Sequence, residues 1–126
     1  MTQAEGGAAV VDFCLVMVVL VPLVLGVMQV ALVLHVRNTM TAAASEGARY
    51  AATVDAGPEQ GAARTRTLID QGLASRYARD VTATQTDVDG LPGTRVVARA
   101  EVPALGLLGP GLAVEVEGNA VEEALP

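Results

Sequence analysis

Residues 13–34 contain no Asp, Glu, Lys or Arg, and the run starts directly after a carboxylate, Asp12. An uninterrupted apolar stretch of this length is a candidate membrane-spanning helix. At about 1.5 Å of rise per residue it reaches roughly 30 Å, the thickness of the hydrocarbon layer. A short leader precedes it, Gly6-Gly7-Ala8-Ala9-Val10-Val11-Asp12-Phe13. The chain therefore reads as a membrane-inserted stalk that carries a small polar domain from Arg37 onward.

The charges agree with that division. All 8 basic residues are Arg and all lie from Arg37 onward, against 12 acidic residues in the same part of the chain. This mildly acidic balance gives no basic face for nucleic acid. It suits a domain kept soluble by modest negative charge. The aromatic residues are Phe13, Tyr50 and Tyr77, so the core is built from Val, Leu, Ile and Ala. A core of that kind in fewer than about 90 residues is marginal alone, and partners commonly help.

Chemistry-bearing groups are scarce. One His and one Cys cannot make a zinc site of the usual His and Cys ligands. The two serines, Ser45 and Ser75, have no histidine in readable reach, since His35 sits at the exit of the apolar run. The Glu115 and Glu117 pair reads as solvated strand surface rather than acid–base machinery. There is no glycine-rich phosphate loop. No enzymatic activity, cofactor, metal or small-molecule substrate is expected. Cys14, alone, reads as a small apolar residue of a lipid-facing helix. It opens the apolar run instead of following it, which is the wrong place for a lipidated cysteine.

Within the run, Pro22 and Gly26 weaken the helical hydrogen-bond ladder and permit a bend. Gln29 is a polar group in lipid, either bonded to a neighbouring helix or a tolerated neutral residue near the far interface. A secretory signal would have a basic start and a shorter run. Cleavage at Ala42-Ala43-Ala44, releasing a secreted domain, is the alternative to a retained anchor. Arg37 and Arg49 follow the span and no basic residue precedes it. The positive-inside rule taken alone therefore puts the C-terminal domain inside.

Gly7-Ala8-Ala9-Val10-Val11-Asp12-Phe13, followed by a long apolar helix with Pro22, resembles the prepilin-type leader and stalk of the TadE-like minor pseudopilins of the bacterial tight-adherence (Flp-type) pilus machinery. Val36-Arg37-Asn38-Thr39 and the alanine-rich stretch around Glu46-Gly47-Ala48-Arg49 resemble that family's second signature. The likeness covers about residues 6–53. It implies an inner-membrane precursor with its leader in the cytoplasm and its C-terminal domain extracytoplasmic, against the charge rule. It also implies cutting between Gly7 and Ala8 by a prepilin peptidase, and assembly guided by the acidic Asp12 beside Phe13. The partners implied are other pilins or pseudopilins and platform proteins of pilus assembly. After such a cut the Ala8 amine lies one helical turn from Asp12. The carboxylate then either pairs with that amine, or a neighbouring subunit's, or simply marks the water boundary.

The expected fold is α+β: a long N-terminal membrane-spanning helix extended into a stalk, then one helix on a short antiparallel sheet. The divisions are a leader over 1–7, a transmembrane helix over 8–36, a helical stalk over 37–56 and a small α+β domain over 57–126. Val36, Met40, Ala43, Gly47 and Ala51 form one stripe at helical spacing. Ala43, Gly47 and Ala51 admit a close helix, from another subunit or from this chain's own domain. Glu46 and Arg49 are spaced to pair on the surface. Gly57-Pro58 starts a second helix with Ala62, Leu68, Ile69, Leu73 and Tyr77 on its apolar side and Arg76 and Arg79 at its end. Strands are expected over 80–86, over 95–102 and from Leu112, with a turn over 89–93. The apolar segment 103–111 either caps the core or contacts a partner or membrane. The function these features imply is a structural component of a tight-adherence pilus or related secretion apparatus. The alternative is a single-pass anchored binding module that does not polymerise.

Overall fold

The computed structural model describes residues 2–53, 55–105 and 111–122. Helix α1, Thr2–Ala51, is unbroken. At about 1.5 Å per residue it is roughly 75 Å long. Pro22 and Gly26 do not interrupt it. Helix α2, Pro58–Gly72, follows, then a single 3-10 turn, Ser75–Ala78. Strands β1, Asp80–Val88, β2, Leu91–Val102, and β3, Leu112–Val121, form an antiparallel sheet in the order β1-β2-β3. The fold is α+β, as the sequence predicts.

Each boundary has a local cause. Proline opens α2, where the missing N–H costs nothing, and Glu59 complements the helix dipole in the first turn. The Gly57 N–H donates to Gln60 Oε1 at 3.1 Å. α2 stops sooner than the apolar spacing predicts. Leu73 turns extended after Gly72, with its N–H donating to Ile69 O at 2.8 Å. Arg76 and Tyr77 therefore belong to the 3-10 turn, with the guanidinium 4.9 Å from the ring centroid. Tyr77 is still buried, because the turn folds it under the sheet. The expected five-residue turn tightens to Asp89-Gly90, both at positive φ (52° and 82°), and Val88 pairs with Leu91 across it. Asp-Gly at positive φ is the chemistry of the type I′ turn, whose twist matches the strands it joins.

Alternation sorts the sheet into two faces. Val81, Val96, Ala98, Val102, Val114 and Val116 are buried on one, against the C-terminal half of α1 and against α2. Leu112 shares their register opposite Val102 but is half exposed, at the sheet's end. The other face is polar: Arg95 Nε donates to Asn119 Oδ1 at 3.1 Å, and Arg99 Nε to Glu115 Oε2 at 2.6 Å. That second bond, then the attraction of the same carboxylate, raises the Arg99 pKa above its ordinary value. Both side chains are more than half exposed, so water and salt screen the pair.

The core begins far down the apolar run. Val36 and Met40 are fully buried, and Leu32 and Val33 pack against the same cluster. About half of α1 is thus the head's own central helix, and the remainder projects from it.

Thr94, in β2, is fully buried, and its hydroxyl has no hydrogen-bond partner among the described residues. An unsatisfied buried hydroxyl costs about 1–3 kcal/mol, and an apolar group of the same shape removes that cost. Thr94→Val is expected to raise the head's denaturation midpoint by roughly 1 kcal/mol equivalent. Thermal unfolding in detergent measures it, and a lowered midpoint would be the contrary result.

Candidate functional site

Among the described residues no three His, Cys, Asp or Glu side chains come together where they could hold a metal. The features with functional potential lie along α1.

Its N-terminal half is bare. Val10, Phe13, Val18, Leu23 and Val27 are each about 60–70% exposed, and no part of the most apolar window is buried. Large apolar side chains exposed on every side of a helix cannot face water at this density, and lipid is the solvent that suits them. Gly7, Ala8 and Asp12 are exposed on this bare rod. A Cβ on Gly7 would meet nothing within 4 Å. Ala8 and Asp12 share one helical face a turn apart. Phe13 follows at 61% exposure.

The signature residues divide by face. Ala43, Ala48 and Ala51 are buried at 4%, 0% and 2% exposure, and Gly47 is buried with them. Gly47 lies where α2 crosses. A Cβ there would strike the Thr65 side chain and come 2.7 Å from Gly61 O. A Cβ on Gly61 would come 2.5 Å from Ala51 Cβ and 2.7 Å from Gly47 O. The small-residue stripe is thus occupied by this chain's own α2. Thr65 Oγ1 seals the crossing, 2.9 Å from Gly61 O and 3.4 Å from Ala43 O. Glu46 and Arg49 are exposed. They do not form the expected pair: among the described residues the one ion pair joins Arg99 and Glu115. A groove of about 540 Å³ runs along the seam of the two helices, lined by Asn38, Thr39, Ala42, Ala43, Glu46 and Leu68.

Two features escaped the sequence. Gly118 of β3 sits against the α1 backbone, where a Cβ would strike Ala44 and Ser45. No pattern in one strand announces which glycine a distant helix will cross. The other is the partner of Gln29. Its Nε2 donates to Pro103 O at 3.2 Å, and its Oε1 accepts from the Leu105 N–H at 2.7 Å. Neither a neighbouring helix nor plain tolerance accounts for it: the side chain holds the start of the chain's own β2–β3 connection. The remainder of that apolar segment, residues 106–110, lies outside the described residues.

Among the described residues one helix, near the N-terminus and continuous with a small α+β head, is long and apolar enough to cross a bilayer, which supports a membrane-anchored protein. Within that class, residues 7–49 match the family model described as TadE-like protein, the family that the leader and the Glu-Gly-Ala-Arg stretch resemble. The match spans the bare rod and the signature and leaves α2 and the sheet outside it. It fits a component related to the tight-adherence pilus. No curated protein and no solved structure matches the chain.

Proposed function

We propose that this chain is a minor pseudopilin-like structural and assembly component of a tight-adherence pilus or related secretion apparatus. It is processed between Gly7 and Ala8 and assembles through its N-terminal helix, without catalysis of its own. The observation that carries this reading is the bare apolar rod within the family match, with Gly7, Ala8 and Asp12 exposed at its tip.

The physical sequence is short. Cutting after Gly7 removes the polar leader and leaves a charged amine on Ala8. At the rim of the hydrocarbon an unpaired carboxylate is costly, and an amine one turn away, or on the next subunit, offsets that cost. Lateral packing of apolar helices then brings subunits together while the heads stay in water on the extracytoplasmic side. The prepilin peptidase and the other pilins are the partners in this scheme.

N-terminal sequencing of the membrane-extracted protein, co-expressed with the peptidase, tests it. The expected terminus is Ala8, and Asp12→Ala is expected to cut stalk cross-linking between subunits by roughly tenfold while leaving membrane insertion intact. An intact Met1 in every molecule would overturn processing. Cross-linking indifferent to Asp12→Ala would favour an anchored binding module that does not polymerise.

A further inference from the structure

Gln29 lies inside the apolar run, yet the head already touches the helix there. Measured from Asp12, the bare stretch 13–28 is only about 24 Å long, short of the roughly 30 Å that a hydrocarbon layer requires. Val30 and Leu34, beyond Gln29, remain 60% and 53% exposed on the side of α1 away from the head. Extending the immersed length to about residue 33 reaches the full thickness. Lipid then covers Val30, and the segment clamped by Gln29 lies below the hydrocarbon surface.

That segment has the chemistry for such a place. Irregular backbone is tolerated at membrane depth only when its polar groups are paired within the protein. Pro103 has no N–H to satisfy, and its carbonyl accepts from Gln29 Nε2. The Leu105 N–H donates to Gln29 Oε1. Ala104 between them adds no polar side chain. One side-chain amide thus uses its two ends on two backbone groups of this segment, the Pro103 carbonyl and the Leu105 N–H.

Building on the membrane-spanning reading, we propose that Pro103, Ala104 and Leu105 are immersed in the hydrocarbon edge of the bilayer, held there by Gln29, so that the head is seated on the lipid instead of standing clear of it. The occupant of this face is lipid acyl chain, continuous with the lipid around the bare rod.

The test uses the full chain with Cys14→Ser, reconstituted in phosphatidylcholine–phosphatidylglycerol vesicles. Single cysteines replace Ala104, Val19 (bare rod) or Ala63 (exposed on α2), each labelled with an environment-sensitive fluorophore. The Ala104 probe is expected to be quenched by lipid bearing a nitroxide near its headgroup end, and to be protected from iodide roughly tenfold relative to Ala63. In Gln29→Leu the Ala104 probe is expected to move toward water while Val19 stays lipid-quenched. An Ala104 probe as iodide-accessible as Ala63, with Val19 lipid-quenched, overturns the proposal and leaves the membrane span standing. Iodide access at Val19 overturns both. An Ala104 depth unchanged by Gln29→Leu overturns the role given to Gln29.

Discussion

Gly118→Val is expected to unfold the head while leaving the rod helical. The added Cβ would strike Ala44 C and Ser45 N and come 2.5 Å from Ala44 O, all backbone atoms that no rotamer change can remove. Either β3 leaves α1 or the helix bends, and both open the core at Ala44 and Val116. Overpacking that forces the backbone to move costs roughly 3 kcal/mol or more. A domain of about 90 residues holds only roughly 5–13 kcal/mol in all. The thermal midpoint of the head, followed by far-ultraviolet circular dichroism in detergent, is expected to fall by at least about 15 °C. The rod's helical signal survives, because detergent continues to cover residues that never touched the head. A midpoint within a few degrees of the parent's would show that β3 does not lie on α1 as described.

Gly47→Leu is the second large effect, and its sign is the informative part. Replacing glycine by a good helix former inside an exposed helix stabilises it by about 1 kcal/mol. At the α1–α2 crossing the same change displaces Thr65, breaks its bonds to Gly61 O and Ala43 O, and pushes on the Gly61 backbone. The expected net loss is about 3 kcal/mol, because the packing penalty exceeds the propensity gain. α2 undocks before the sheet does, since α1 also holds β3 and β2. Limited proteolysis should therefore cut within residues 53–58 in the variant far faster than in the parent. Unchanged cleavage together with a raised midpoint would mean that Gly47 faces open space. The crossing divides the Glu-Gly-Ala-Arg stretch by face: Gly47 and Ala48 are buried against the head, while Glu46 and Arg49 are exposed.

What the sequence disclosed was what periodicity and backbone chemistry encode locally. The charge-free run, the Pro58 helix start and the alternation through Val96, Ala98, Ala100 and Val102 each act within a few residues, and each is where the pattern put it. The turn expected over 89–93 instead tightens to Asp89-Gly90, because Leu91, Pro92 and Gly93 pair with β1. The misjudged features depend on what lies across space. Tyr77 is buried by a 3-10 turn rather than by a longer α2, because burial of an aromatic ring does not reveal the backbone that delivers it. The run at 13–34 is apolar for two different reasons. Its first part is exposed on every side while Leu32 and Val33 pack against the head, and hydropathy alone does not distinguish the two. Gln29 stood out as a polar residue in the run, but its partners lie more than seventy residues away. The residues at the rod's tip, Ala8 and Asp12, were legible only as a motif, since their suggested work is on other molecules.

Alkaline carbonate extraction of membranes from cells producing the chain puts the lipid-embedded rod to the test most directly. The whole polypeptide should stay in the membrane pellet and enter solution only with detergent, as exposed Val, Leu and Phe side chains along more than four helical turns require. Quantitative release of the full-length chain into the detergent-free supernatant would contradict it, because that rod would then be covered by something other than lipid.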